Sequence, residues 1–314
     1  MTLSEALQLA TRQLEASADL RADAARDAAY LLRHTLAISH AAQLADPDRP
    51  LTPAQQSAYQ ALIQRRLTNE PIQYIIGEQE FYGLALRVTP AVLIPRPETE
   101  HLVESVLAEF ANSSNQENCH SDTERSSGEE SPHFVRSAKN LPFGEKIRIL
   151  DIGTGSGAIA IALAHHLPNA QITAVDLSPA ALEVAATNAA IHSLADRIRF
   201  VQSDLLTALP ADEAPFDAIV SNPPYVPSAD RATLHPQVRD HEPSSALFAG
   251  ADGLDIYRRL IPQARAALAP NGLLAIEIGH GQRDPIAALL ADWCQLHFVD
   301  DLQGIPRIAL ARKS

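Results

Sequence analysis

The stretch Ile147-Arg148-Ile149-Leu150-Asp151-Ile152-Gly153-Thr154-Gly155-Ser156-Gly157, followed by Ala158-Ile159-Ala160-Ile161-Ala162-Leu163-Ala164, decides the fold. An apolar run of strand length enters a glycine-rich turn and leaves as an apolar run of helix length. Glycines let the backbone approach a ligand closely and adopt positive φ. A second apolar strand, Gln171-Ile172-Thr173-Ala174-Val175, ends at Asp176. An acidic residue about 20 positions past such a turn can bind ribose hydroxyls. Alone, this half is open between two cofactor classes. Gly153-x-Gly155-x-x-Ala158 formally fits the dinucleotide fingerprint, which admits Ala in last place. Asp151 argues the other way, because a carboxylate there would repel a pyrophosphate and welcome a cation. S-adenosyl-L-methionine carries a sulfonium and an ammonium, and no phosphate.

The second half of the argument lies downstream. Phe216-Asp217-Ala218-Ile219-Val220-Ser221 reads as a buried strand, and Asn222-Pro223-Pro224-Tyr225 follows at its carboxyl edge. Ligands bind outside that edge in open α/β sheets. An Asn side-chain carbonyl and a neighbouring backbone carbonyl can each accept one N–H of a planar –NH2 group. Proline stiffens the turn and removes competing donors, and Tyr225 can stack on a flat group. The segment suits a nucleobase amine or a side-chain amide. Dinucleotide chemistry has no evident use for it, so S-adenosyl-L-methionine is the expected cofactor.

From residue 147 onward strands and helices alternate, as in a doubly wound sheet. Ser178 caps the next helix with Pro179 at its first position. A third strand, Ile198-Arg199-Phe200-Val201, leads to Asp204, which can accept an adenine amine or cap the following turn. A long loop at 226–251 sits at the ligand edge, where such loops form lids or substrate contacts. A helix over about 253–268, the strand Gly272 to Glu277, a last helix and two strands finish the chain; Cys294 is expected on that last helix.

Upstream, residues 1–70 read as a small helical bundle. Thr2-Leu3-Ser4-Glu5 fits a capping box, Leu3, Ala6, Leu7, Ala10 and Leu14 recur at helical spacing, and Thr52-Pro53 opens another helix. Nothing in this bundle looks catalytic, and substrate or partner contact is its expected role. Residues 71–93, including Tyr74-Ile75-Ile76-Gly77, read as a β-hairpin linker. A helix then opens at Pro97, with Glu98 and Glu100 in its positive first turn, and runs to about Phe110. Residues 112–146 are polar and aperiodic and read as a disordered insert. It holds Cys119, His120 and His133, none of them at metal-ligand spacing.

Net charge is −13 in 314 residues, a poor balance for neutralising DNA phosphates. Cys119 and Cys294, the two cysteines, offer no metal-ligand or redox spacing. The N-terminus lacks the basic and apolar regions of a signal peptide, and no apolar run reaches membrane-helix length. A cytoplasmic monomer is expected, with no metal, no membrane and no direct nucleic-acid partner.

Several stretches together carry a resemblance. They are Pro71 to Gly77, Ile94-Pro95-Arg96-Pro97-Glu98-Thr99-Glu100, Asp151 to Gly157, Ser221 to Tyr225, Glu242-Pro243 with Ala246-Leu247, and Glu277-Ile278-Gly279-His280-Gly281-Gln282. In this order the chain resembles the HemK/PrmC family of release-factor glutamine N5-methyltransferases over nearly all but 112–146. The resemblance implies a class I S-adenosylmethionine-dependent methyltransferase fold, a Rossmann-like seven-stranded sheet over 94–314, behind the N-terminal helical domain. It implies peptide chain release factors as substrate, methylated on the Gln of their Gly-Gly-Gln loop. By position, Gly153, Thr154, Gly155, Ser156 and Gly157 would line the cofactor and Asp176 would bind its ribose. Asn222 would touch both cofactor and substrate amide, and Pro223, Pro224 and Tyr225 would shape the glutamine pocket. Many relatives carry an aromatic residue after the third-strand Asp; Leu205 stands there and can pack on adenine. Asn-Pro-Pro-Tyr is shared with adenine-N6 methyltransferases, so a DNA or RNA adenine remains an alternative substrate, as does the glutamine of a ribosomal protein. A non-catalytic S-adenosylmethionine-binding protein is a third reading.

Overall fold

The computed structural model describes residues 1–116 and 146–314, with side chains at the end of the first block only as far as Ala111. The expected insert at 112–146, with Cys119, His120 and His133, lies for most of its length outside those residues, although 112–116 continue a helix.

The chain opens with helices α1 (Leu3–Glu15), α2 (Ala24–Leu36), α3 (His40–Ala45), α4 (Pro53–Leu67) and α5 (Ile72–Ile76). Capping boxes start two of them, Thr2 with Glu5 on α1 and Thr52 with Gln55 on α4. Leu3, Ala6, Ala10 and Leu14 of α1 close over Leu31, Leu32 and Ile63 in one apolar core. Inside it Arg66 Nε donates to Asp27 Oδ2 at 2.8 Å, so the buried charges are paired. Tyr74 to Ile76 belong to α5, not to a hairpin: apolar residues on successive positions pack one helical turn against the bundle. The hairpin begins later, as β1 (Glu78–Phe81) and β2 (Leu84–Arg87).

The second body follows with α6 (Pro97–Gln116), β3 (Ile147–Ile152), α7 (Ala158–His166), β4 (Ala170–Asp176), α8 (Pro179–Ile191), β5 (Ile198–Gln202), β6 (Phe216–Ser221), α9 (Pro236–His241), α10 (Asp255–Ala267), β7 (Leu268–Glu277), α11 (Arg283–Leu289), β8 (Cys294–Asp300) and β9 (Pro306–Arg312). These strands form the expected seven-stranded sheet, in the order β5-β4-β3-β6-β7-β9-β8. From β5 to β7 all pairs are parallel, and β9 and β8 join antiparallel. Cys294 opens β8 instead of sitting on a helix, and it is exposed.

Alternate residues of β3 face opposite sides: Ile149 enters the core under α6 and α7, while Leu150 and Ile152 enter the core under α10. Both faces are covered, which is why the parallel strands read as near-continuous apolar runs. The order turns outward in both directions from β3 and β6, making their carboxyl ends the topological switch point. Ile152 lies opposite Ser221 in register, and Ser221 Oγ donates to Ile152 O at 2.7 Å. The glycine turn and Asn222 therefore leave the sheet side by side.

Hydrogen bonds from two places join the halves of the chain, beside the packing of Tyr74 with Ala181 in one apolar cluster. Asn188 on α8 receives the Arg87 N–H on Oδ1 and donates from Nδ2 to Arg87 O and Ser156 O. The 226–251 segment reaches the bundle through His235 Nε2, 3.2 Å from Asp19 O, and His241 Nε2, 2.9 Å from Thr68 O.

Candidate active site

A cleft opens at the switch point. Its wall on one side is the glycine turn: Gly153, Thr154, Gly155 and Ser156 line it, with Asp176 at the end of the neighbouring strand. The turn closes on β4, since the Gly153 and Thr154 N–H groups both donate to Val175 O. Asp176 ties it further, Oδ2 accepting from Gly155 N at 2.9 Å and Oδ1 from Ser178 N at 2.8 Å. Gly153 and Gly155 have φ of 73° and 56°, and no atom lies nearer than 4.0 Å to where a Cβ would stand. That bare backbone is open to a ligand.

Three expected site residues stand off the cleft wall. Asp151 is fully buried, on the face of β3 that also carries Ile149. Its Oδ2 accepts from Thr154 Oγ1 at 2.6 Å, and its Oδ1 has no hydrogen-bond partner. Burial pushes its carboxyl up to about 7, Thr154 pulls it down, the Asp176 charge raises it and the Ala160 amide lowers it. Gly157 caps α7 at φ 82°, where an added Cβ would stand 3.0 Å from Ile161 Cδ1 and 3.1 Å from Ala185 Cβ. Its smallness serves the contact between α7 and α8. Tyr225 packs its ring on the core beneath the cleft.

Beyond Asp176 the cleft is lined by Leu177, Asp204 and Leu205. Leu205 is buried, in the left-handed region at φ 52°, and presents an apolar surface. The Asp204 carboxylate is paired with Arg259 at 2.5 Å.

The other wall is Asn222, Pro223 and Pro224, faced by Arg96 and Thr99 and by Pro243, Ser245 and Ala246 of the 226–251 segment. Glu242 holds that segment in place: Oε1 accepts from Arg96 Nη2 at 2.5 Å and Oε2 from Ile94 N at 3.2 Å. Asn222 Nδ2 donates to Thr99 Oγ1 at 3.0 Å, and Thr99 Oγ1 donates to Glu277 Oε2 at 2.7 Å. The hydrogen-bond network thus assigns the amide orientation, and Asn222 Oδ1 is left as an acceptor. Tyr225 OH reaches Glu277 Oε1 at 3.3 Å, and burial with the Glu277 charge raises the Tyr225 phenol. Gln282 pins the same tyrosine from behind, Nε2 donating to Tyr225 O at 3.0 Å while Oε1 accepts from Gly279 N.

Thr99 and Glu277 are site residues that the sequence reading did not single out. One signal was there: a carboxylate ending the otherwise apolar run Leu273 to Ile276 must lie at the ligand edge of a buried parallel strand. Among the described residues no cluster of His, Cys, Asp and Glu could hold a metal ion, and no helix is long and apolar enough to cross a membrane.

Known proteins match this architecture. A family model described as PrmC N-terminal domain matches residues 5–77, and one described as Methyltransferase domain matches 149–241. The chain is 42% identical over 313 residues to a release factor glutamine methyltransferase of Koribacter versatilis, covering 100% of this chain and 99% of that one. It is 42% identical over 317 residues to a release factor glutamine methyltransferase of Bradyrhizobium diazoefficiens, covering 98% and 95%. Among solved structures, a 16S rRNA methyltransferase of T. thermophilus in complex with AdoMet and guanosine aligns with a TM-score of 0.51 at 17% identity, over 76% of this chain and 50% of that one. That likeness shows the shared methyltransferase fold.

Proposed function

This chain belongs to the release factor glutamine methyltransferase family, and we propose how its residues perform that reaction: transfer of a methyl group from S-adenosyl-L-methionine to the side-chain amide nitrogen (N5) of the Gly-Gly-Gln glutamine in peptide chain release factors. The observation that carries the reading is the Asn222 amide, turned so that Oδ1 is an acceptor beside the glycine turn. Family membership favours a protein glutamine over an adenine or a ribosomal protein. Residues 1–70 would contact the release factor, 71–93 link the bodies, and 94–314 carry the chemistry, in a cytoplasmic monomer.

The residues present fit the cofactor. Gly153 and Gly155 offer bare backbone, and Thr154 and Ser156 line the same turn. Asp176 offers a carboxylate to ribose hydroxyls, Leu205 offers apolar surface to adenine with Asp204 at its edge, and buried Asp151 offers negative charge with an unpartnered oxygen. The bound cofactor supplies an electrophilic methyl on a positively charged sulfur.

An amide nitrogen is a poor nucleophile because its lone pair is delocalised into the carbonyl. Asn222 Oδ1 and the Pro223 carbonyl would each accept one N–H, which holds the nitrogen in place and raises its electron density. Pro223 and Pro224 present a rigid wall with no competing donors. Tyr225, held through its hydroxyl and its carbonyl, keeps that wall from shifting. With both N–H groups held by Asn222 Oδ1 and the Pro223 carbonyl, the nitrogen would take the methyl that the bound cofactor supplies, leave the S–C electron pair on sulfur, and then lose one proton to solvent. Positioning of this kind accounts for several kcal/mol of barrier, and fixed dipoles add to it.

Peptide mass spectrometry of a purified release factor incubated with the enzyme and S-adenosyl-L-methionine tests this. A single methyl on the Gly-Gly-Gln glutamine is expected. Methyl transfer only to DNA, RNA or a ribosomal protein in parallel reactions would overturn the substrate and keep the chemistry.

A further inference from the structure

Asn222 can accept a substrate N–H only while its Oδ1 faces the cleft. Rotating the amide by half a turn puts an NH2 against an NH2. The shape of Asn222 does not decide between these states, since its oxygen and nitrogen are nearly equal in size. The partner decides. Thr99 Oγ1 has one proton to give and lies between Asn222 Nδ2, 3.0 Å away, and Glu277 Oε2, 2.7 Å away.

Glu277 is 2% exposed and does not itself line the cleft, which it meets through Thr99. Oε1 receives the Tyr225 hydroxyl, and its own backbone oxygen receives the Tyr257 hydroxyl at 2.7 Å. We propose that Glu277 is a positioning residue for the methyl-accepting amide: its ionised carboxylate takes the Thr99 proton, obliges Thr99 Oγ1 to accept from Asn222 Nδ2, and so turns Asn222 Oδ1 toward the substrate. The inference rests on the glutamine-methyltransferase reading above.

The relay has a polarity, and a proton reverses it. A Glu277 that carries its proton on Oε2 donates to Thr99, which frees the Thr99 proton for Asn222. Asn222 can take it only through Oδ1, which leaves the cleft. Burial pushes the Glu277 carboxyl up to about 7; Thr99, Tyr225 and Arg307 pull it down and Glu98 pushes it up. Thr99 and Glu98 face it from α6, Tyr225 from beyond β6, Tyr257 from α10 and Arg307 from β9. Arg96 acts on the Tyr225 end.

The test uses the full-length enzyme with release factor, and the variants Thr99→Val, Thr99→Ser and Glu277→Gln, read by kcat and KM across pH. Cofactor affinity is measured separately by calorimetry. The side-chain 15N–1H signals of Asn222 are followed through the same pH range without substrate. Misplacing a reacting group by about 1 Å costs about 10²-fold, so Thr99→Val is expected to lose about that in kcat with cofactor affinity unchanged. Thr99→Ser, which keeps the hydroxyl, restores most of it. The wild-type kcat falls on the acid side of about pH 7, and the Asn222 signals move with it; both responses disappear in Glu277→Gln and Thr99→Val. A Thr99→Val enzyme with wild-type kcat, a Thr99→Ser enzyme as impaired as Thr99→Val, or Asn222 signals that ignore the Glu277 titration each overturn the relay. If the wild type fails on release factor while the Asn222 signals still track Glu277, the relay stands and the substrate reading falls.

Discussion

The two walls of the cleft leave the sheet side by side, at Ile152 and Ser221, yet they are held by different means. The glycine turn is held by its sequence neighbours: Val175 O takes two of its N–H groups and Asp176 takes a third. The Asn222 wall is held by side chains from Thr99, Glu277 and Gln282, which arrive from two other places in the chain, α6 and the end of β7. A backbone cradle binds by shape. An amide braced by hydroxyls and a buried carboxylate can be turned round by one proton. On the mechanism proposed above, cofactor affinity belongs to the first wall and turnover to the second.

The largest effect that sharpens this contrast belongs to the cradle and concerns pH. Asp151 has a folded-state carboxyl raised from 3.8 to about 7. A raised carboxyl means the folded protein keeps a proton that the unfolded chain releases, so its contribution is full below about pH 4 and is lost as pH rises through about 7. At about 1.4 kcal/mol per unit, that loss is on the order of 4 kcal/mol in the ligand-free protein. Glu277, raised to about 7 from 4.5, acts with the same sign. Urea melts at about pH 5 and about pH 8 should show the wild type weakening, and Asp151→Asn weakening less. Equal slopes for the two proteins would remove Asp151 from the account.

Next comes the braced wall. Asn222→Ala should lower kcat by about 10²- to 10³-fold, the scale of one lost transition-state hydrogen bond, while cofactor binding by calorimetry changes far less. An equal loss of both would break the division of labour between the walls. Asp176→Ala should do the reverse, weakening cofactor binding by the roughly 1.5–3 kcal/mol of a charged hydrogen bond, with kcat at saturating cofactor less affected. Smallest is Gly157→Ala. It should destabilise by about 1–3 kcal/mol through its positive φ and the Ala185 contact, with cofactor affinity preserved in the folded fraction; thermal melts beside calorimetry check it.

This division also explains what could be read from the sequence. The cradle is local: strand, glycine turn, helix and Asp176 lie within one contiguous stretch, and their spacing carries the geometry. Asn222 to Tyr225 announced its chemistry because two prolines and a strand end left few other uses. Thr99 and Glu277 were harder to see. Each looks ordinary in its own neighbourhood, one in the first turn of a helix and one at the end of a strand, and only the packing of α6 against the edge of β7 brings them to the same amide. Asp204 shows the same limit, since its pairing with Arg259 spans α10. Ile72 to Ile76 reads as strand from the sequence because the consecutive apolar positions Tyr74, Ile75 and Ile76 fit either period, and contact with the bundle decides for helix.

The seam between the two bodies has one-sided chemistry. In its hydrogen bonds from the 226–251 segment, His235 and His241 supply imidazoles, and the bundle supplies the main-chain carbonyls of Asp19 and Thr68. Every residue type carries that carbonyl, so side-chain substitution at 19 or 68 leaves the acceptor in place. Replacing either histidine removes one of these two hydrogen bonds outright, so this part of the joint is breakable from the methyltransferase side and not from the bundle side.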